Sequence, residues 1–250
     1  MSQRQQLCLI CRITLLTIGL SLACSGNAVW GQATRTWDNT NTGWGGPPGS
    51  PLPWFDVDGN WSAGVAPGPL DTARFFHDPF SPFEVWWDDF TQSQVPQVGK
   101  LLIESGNVLF RNVDNGPQYK LTLTDTSPLA LHISEIGSFG FITGLALDGI
   151  HLESLGGAFI ETGSGLNVGG IAGFSPLHPL GSKLSVGGEL YAQGQVFVNG
   201  NSAMQTLGGS VIDNGGSGNG SVFILNSAQW NASGQIVVGQ DWSGSLFCKW

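Results

Sequence analysis

The chain has 250 residues, with 9 Lys and Arg against 18 Asp and Glu and a formal net charge of −9. Charged residues make up 11% and glycine supplies 38 positions, where globular proteins carry about 25% and ~7% respectively. That composition disfavours long helices and favours short strands with tight turns, and an acidic chain with scattered cations repels phosphate backbones, which argues against nucleic acid as a partner.

Residues 1–33 read as a secretory signal peptide. Arg4 and Arg12 supply the positive region, and Ile13 to Ala23 form an apolar run of 11 residues, shorter than the ~20 a membrane-spanning helix needs. Small residues in Gly31-Gln32-Ala33 place cleavage after Ala33, and Gly26-Asn27-Ala28 offers a second site. The exported chain keeps seven cations against 18 carboxylates, a charge of −11. Ser21-Leu22-Ala23-Cys24 is a poor lipidation signal, because Ser stands three residues before Cys24 where Leu is wanted. Cys8, Cys11 and Cys24 leave with the leader, so only Cys248 remains and no internal disulfide is expected. No later segment is long and apolar enough to span a bilayer, so the expected destination is the medium or the cell surface.

Residues 34–110 form an aromatic and proline-rich module. Trp37, Trp44, Trp54, Trp61, Trp86 and Trp87 lie here, with Phe55, Phe75, Phe76, Phe80, Phe83 and Phe90. Proline interrupts strand ladders, so short strands and long loops are expected. Two roles compete for the aromatics. They build a core that caps one end of a repeat structure, or some present faces to sugar rings. The candidate glycan contacts are Trp44, Trp54, Trp61, Trp86 and Trp87. Asp56-Val57-Asp58-Gly59-Asn60 has the composition of a calcium loop but not its spacing, and reads as a turn.

The run from Asp58 to Phe76, DGNWSAGVAPGPLDTARFF, is the most specific feature. With Trp37 upstream, Asn60-Trp61-Ser62, Gly64, Pro67, Asp71, Ala73 and Phe75 resemble the opening of a class of bacterial secreted or surface proteins whose N-terminal module leads into autotransporter-passenger-like strand repeats. The resemblance implies that residues 98–110 and 119–124 are the first rungs of such repeats.

From residue 111 to 250 the pattern is alternation interrupted by Gly, Ser, Asn and Asp. Leu121-Thr122-Leu123, Leu145-Ala146-Leu147 and Ile150-His151-Leu152 each put one set of side chains inward. Stretches recur. Leu166-Asn167-Val168-Gly169-Gly170 matches Leu184-Ser185-Val186-Gly187-Gly188, 18 positions on, and Val196-Phe197-Val198 matches Val222-Phe223-Ile224, 26 on. Asn201-Ser202-Ala203 matches Asn226-Ser227-Ala228, 25 on, and the Ser227-x-x-Trp230, Gly234-x-Ile236-x-Val238-Gly239 and Gly244-x-Leu246 patterns that follow resemble the same passenger-like class. A period of this size without helices between copies predicts an all-β, right-handed parallel β-solenoid with an aromatic-rich N-terminal cap. Asn-Ser-Ala is placed at an equivalent corner of successive rungs. The last rung breaks off at Trp250, so the C-terminus is expected to be truncated.

No reaction emerges. G-x-S-x-G, phosphate-loop and H-E-x-x-H patterns are missing, and no metal or cofactor site is expected. His77, His132, His151 and His178 are scattered. A polysaccharide hydrolase on a β-helix would need two facing carboxylates, for which Asp88-Asp89 and Glu153/Glu161 are the pairs worth naming. A lyase would need cations beside a base, and Lys100, Arg111, Lys120 and Lys183 are the ones between 75 and 248. The expectation is a non-catalytic structural or adhesion protein, secreted or on the cell surface, with glycans or cell-envelope components as partners and self-association through its ends. A carbohydrate-binding module is the alternative. Sequons at Asn60, Asn219 and Asn231 matter only in a glycosylating host.

Overall fold

A computed structural model describes residues 32–38, 55, 58–62, 64–76, 83–87, 96–113, 118–134, 143–169, 179–213, 220–240 and 243–249. The regular elements begin with β1 (Thr34–Thr36), a 3₁₀ turn at Asp58–Asn60, β2 (Thr72–Phe76) and β3 (Phe83–Trp87). Six complete coils of three strands follow. They are β4 (Gln97–Val98), β5 (Lys100–Ser105) and β6 (Asn107–Asn112); β7 (Tyr119–Leu123), β8 (Leu131–Ile133) and β9 (Thr143–Asp148); and β10 (Ile150–Ser154), β11 (Ala158–Ile160) and β12 (Ser164–Val168). Next come β13 (Lys183–Val186), β14 (Leu190–Ala192) and β15 (Gln195–Asn199), then β16 (Ala203–Thr206), β17 (Ser210–Ile212) and β18 (Gly220–Leu225). The last coil is β19 (Gln229–Ala232), β20 (Ile236–Val238) and β21 (Gly244–Lys249).

Every third strand stacks on the one before it. The first wall runs β1-β2-β5-β8-β11-β14-β17-β20, the second β4-β7-β10-β13-β16-β19 and the third β3-β6-β9-β12-β15-β18-β21. All named strand pairs are parallel, as in Leu152 beside Leu121 and Leu184. The protein is therefore a parallel β-solenoid, and its backbone ladders run from coil to coil along the axis.

Alternation explains why the coils stack. Leu121 and Leu123, Leu152, Leu184 and Val186 from the second wall point inward and are fully buried. Leu145, Leu147, Leu166, Val168, Val196 and Val198 do the same from the third wall. One coil cannot bury this stripe alone, so each covers the next, and a fully buried Leu, Ile or Val is worth about 1.5–3 kcal/mol. Parallel stacking also sets like on like. The rings of Phe197, Phe223 and Phe247 stack on the outer face of the third wall at 4.6 and 4.9 Å, within 7° and 4° of parallel.

The spacing between equivalent positions varies. Along the second wall Gln97, Thr122, Glu153, Ser185, Gln205 and Asn231 lie side by side, so successive coils take 25, 31, 32, 20 and 26 residues. The match of 26 between Val196-Phe197-Val198 and Val222-Phe223-Ile224 is a true coil repeat. The match of 18 is not. Leu166 lies in the third wall beside Val196, whereas Leu184 lies in the second wall beside Met204. The Asn-Ser-Ala corners are equivalent, but their register is 26 rather than 25, because Asn199 pairs with Leu225 and Ala203 with Gln229.

Trp37, Phe55, Trp61, Phe75, Phe83, Trp87 and Phe110 fill the interior of the first coils. Phe55 stacks on Trp87 at 5.2 Å, and Phe75 meets Trp37, Trp61, Phe83 and Phe110 at 5.6 to 5.9 Å. This cluster is continuous with the aliphatic core. The sheets also run without a break past residue 110, because β6 straddles it and pairs with β3 on one side and β9 on the other. At the other end, inward residues of the last coil are uncovered, with Ile236 38%, Val238 44% and Leu246 39% exposed. Trp250 lies outside the described residues.

Candidate functional site

The N-terminal motif is architectural wherever it is described. Trp37 and Trp61 form an antiparallel bridge, and their rings meet edge to face at 5.1 Å. The Trp61 indole donates to the Phe55 carbonyl at 2.8 Å. Asp71 accepts from the backbone of Gly68 at 3.0 Å and of Ala33 at 3.1 Å, which ties its own turn to the start of β1. Ala73 and Phe75 are fully buried. Asp58 accepts from the Ala66 backbone at 2.8 Å, so this aspartate stabilises a turn; Asp56 and Val57 lie outside the described residues. Asn60 is wholly buried, which leaves no room for a glycan on its sequon.

Three of the five tryptophans singled out for glycan contact are described, and their position is not the one sugar stacking requires. Trp61, Trp86 and Trp87 are 2%, 1% and 0% exposed. Trp61 and Trp87 pack in the core, and Trp86 points outward yet is buried, its indole donating to Glu84 at 2.7 Å. Their faces are occupied by the protein itself, as expected of large aromatics. Trp44 and Trp54 lie outside the described residues. Among the described residues Phe76 on β2 is 47% exposed with the Arg74 guanidinium over its ring, and other partly exposed aromatic rings form two outer ladders. One is Phe197-Phe223-Phe247, and the other is His132-Phe159-Tyr191 on the first wall, with centroids 5.4 and 5.3 Å apart. Period-26 alternation carries the signal for the first ladder, whereas the second needs the strand register.

The carboxylates named as a hydrolytic pair are held separately. Glu153, on the second wall, pairs with Lys120 at 2.7 Å and accepts from Thr122 at 3.3 Å. Its pKa is lowered, with the Lys120 hydrogen bond the leading cause. Glu161, beside the first wall, contacts His132 Nε2 at 2.7 Å. Asp88, Asp89, His77 and His178 lie outside the described residues. Among the described residues no three of His, Cys, Asp and Glu gather as metal ligands would, and no helix is long and apolar enough to cross a membrane.

One outer surface brings chemically capable groups together. On the second wall Lys120, His151 and Lys183 stand side by side on β7, β10 and β13. The adjacent outward row carries Thr122, Glu153, Ser185, Gln205 and Asn231. The His151 Nε2 lies 3.0 Å from Ser185 Oγ. Burial pushes the His151 pKa down to about 4, and Lys183 and Lys120 add to the effect while Glu153 opposes it. The imidazole is therefore neutral at pH 7. The sequence offered no sign of this row, whose members are 31 and 32 positions apart. Comparison with protein-family models, with curated proteins and with solved structures finds no significant match.

Proposed function

We propose that the chain is exported and acts outside the cytoplasm as a non-catalytic structural or adhesive solenoid, a stalk or display surface rather than an enzyme. The observation that carries this reading is how the charged and motif residues are used. Asp71, Trp61, Ala73 and Phe75 serve turns and core. Most cations are spent on ion pairs between neighbouring coils, such as Arg74 with Glu104, Lys120 with Glu153 and Arg111 with Glu84. Such pairs tie coil to coil and leave few groups for chemistry. The leader-like first 33 residues and the resemblance to passenger-like surface proteins support export.

The test is fractionation of the native host into medium, surface and cell fractions with an antibody to this chain, with N-terminal sequencing of the recovered protein. Export predicts material outside the cytoplasm that starts at Thr34. Protein confined to the cytoplasm with an intact leader overturns the reading. Release of reducing ends or unsaturated sugars from polysaccharides by the pure protein would overturn its non-catalytic part.

A further inference from the structure

We infer that the outer face of the second wall is a binding strip for a linear carboxylated polysaccharide, with Lys183 as its principal anchor and Lys120 and His151 beside it. The inference rests on the reading that the protein works outside the cell, and it names the ligand class.

Charge singles out Lys183. The exported chain has seven cations, and five of them, Arg35, Arg74, Lys100, Arg111 and Lys120, have a carboxylate within 4 Å. Lys183 and Lys249 have none among the described residues, and Lys249 lies in the final strand. Lys183 instead lies in a row with a second lysine. Strand spacing places Lys120 and Lys183 roughly 9–10 Å apart at the backbone, with His151 between them. Glu153 offsets Lys120 only, so the strip keeps a net positive charge on a chain that is strongly acidic. Neutral His151 adds no repulsion at pH 7, and its Nε2 is already bonded to Ser185 Oγ, which holds the ring between the two lysines.

The neighbouring row decides in favour of a sugar. Ser185, Gln205 and Asn231 follow one another up the wall, with Gln97 at its lower end, whereas Thr122 in the same row is buried and donates to Glu153. Hydroxyls and amides both donate and accept, which is what sugar hydroxyls require. No exposed large apolar side chain lies within the described strands of this wall, and Leu155 and Leu207, 48% and 55% exposed, lie just past β10 and β16 at the corner beyond the row, so the row itself offers none of the apolar anchors that protein interfaces rely on. The repeat runs along the solenoid axis at strand spacing, so an extended polymer can lie along it and meet carboxylate-binding and hydroxyl-binding groups side by side.

The test is binding of the purified protein to polygalacturonate and alginate, with dextran as the neutral control, a sulfated glycan, and poly-glutamate as a carboxylated peptide. The expected result is uronate binding that weakens with salt and falls about tenfold in Lys183→Glu, with Lys183→Arg retaining it and Lys249→Glu unchanged. Melting temperatures of the variants separate lost binding from lost folding. The bound carboxylate should also raise the pH at which the His151 ring titrates, read by NMR against a background set by Lys120, Lys183, Glu153, Thr122 and Ser185. No uronate binding, equal binding by folded Lys183→Glu, or equal or tighter binding of the sulfated glycan or poly-glutamate would overturn the inference. Because it uses pure protein, a negative result here leaves the export reading standing, and failed export leaves this result standing.

Discussion

Asn226 occupies the position that Gly200 holds one coil earlier, and its side-chain amide donates to Asn199 Oδ1 at 2.7 Å. Both residues are left-handed, with φ of 54° at Asn226 and 64° at Gly200. The recurring Asn-Ser-Ala thus marks one corner, but Asn226 replaces a glycine and Ser202 lies level with Ala228. Ser202 Oγ in turn accepts from the Ser182 backbone at 3.0 Å, which links a third coil to the same corner. Asn226→Gly should be nearly neutral, losing only an exposed hydrogen bond. Asn226→Ala should cost about 1–2 kcal/mol, and Asn226→Val more, as measured by urea unfolding.

Gly194 lies at a corner where two coils approach closely. An added Cβ would run into the backbone carbonyls of Ser164 and Glu161. Gly194→Ala should therefore destabilise by about 2 kcal/mol or more, since the rigid backbone of the preceding coil must give way. An alanine at Gly59, where nothing approaches a Cβ, is the matched control and should change the unfolding midpoint little.

Trp87→Ala should cost about 3–5 kcal/mol, because Trp87 is fully buried between Phe55 and Phe110 at 5.2 and 4.8 Å. A glycan-contact tryptophan on the surface would lose binding and keep stability. Trp87→Ala is expected to do the reverse, with a large fall in melting temperature.

The Phe197-Phe223 stack should show a coupling of about 0.5–1.5 kcal/mol in a double-mutant cycle with alanine. The two rings lie 4.6 Å apart and within 7° of parallel. Additive single-mutant effects would mean that area burial alone accounts for them.

His151 should make the protein acid-sensitive. Its pKa is about 4 when folded against 6.5 for the free side chain, so between these values the unfolded chain binds more protons and stability falls as pH falls. Above pH 6.5 this contribution is flat. Glu153 and Asp125, whose pKa values are lowered, lose stability in the same direction but only as pH drops through the carboxylate range. His151→Gln should flatten the unfolding free energy between pH 6.5 and about 4.5 and leave the steeper loss below it. An unchanged slope in that window would show that the ring titrates normally.

Fold class was legible because solenoid coils rely on local alternation. Leu121-Leu123 and Leu145-Leu147 declare inward faces without knowledge of neighbours, and Val196-Val198 recurring at Val222-Ile224 declares a stack. What the sequence hides is which wall a strand belongs to. Leu166 and Leu184 resemble one another because every wall uses the same inward aliphatic pattern, yet they lie in different sheets. Corner lengths vary, so coil spacing ranges from 20 to 32 along one wall, and no fixed period reveals the row of Lys120, His151 and Lys183. Trp86 and Trp87 misled for another reason. Adjacent Trp86 and Trp87 point to opposite sides of one strand, but both are buried, and composition cannot distinguish outward from exposed.

The axial direction of the ladders has a mechanical consequence. Every backbone hydrogen bond between walls' successive strands lies along the line joining the two ends of the coil stack. A load that pulls on the ends does not shear many bonds together. It peels the outermost coil first and passes the force to the next. Each event would free one coil, 20 to 32 residues as read along the second wall, or roughly 70–110 Å of slack at ~3.4 Å per residue. Under tension the coil stack would lengthen in discrete steps of unequal size, surrendering coils from one end while the rest stays folded.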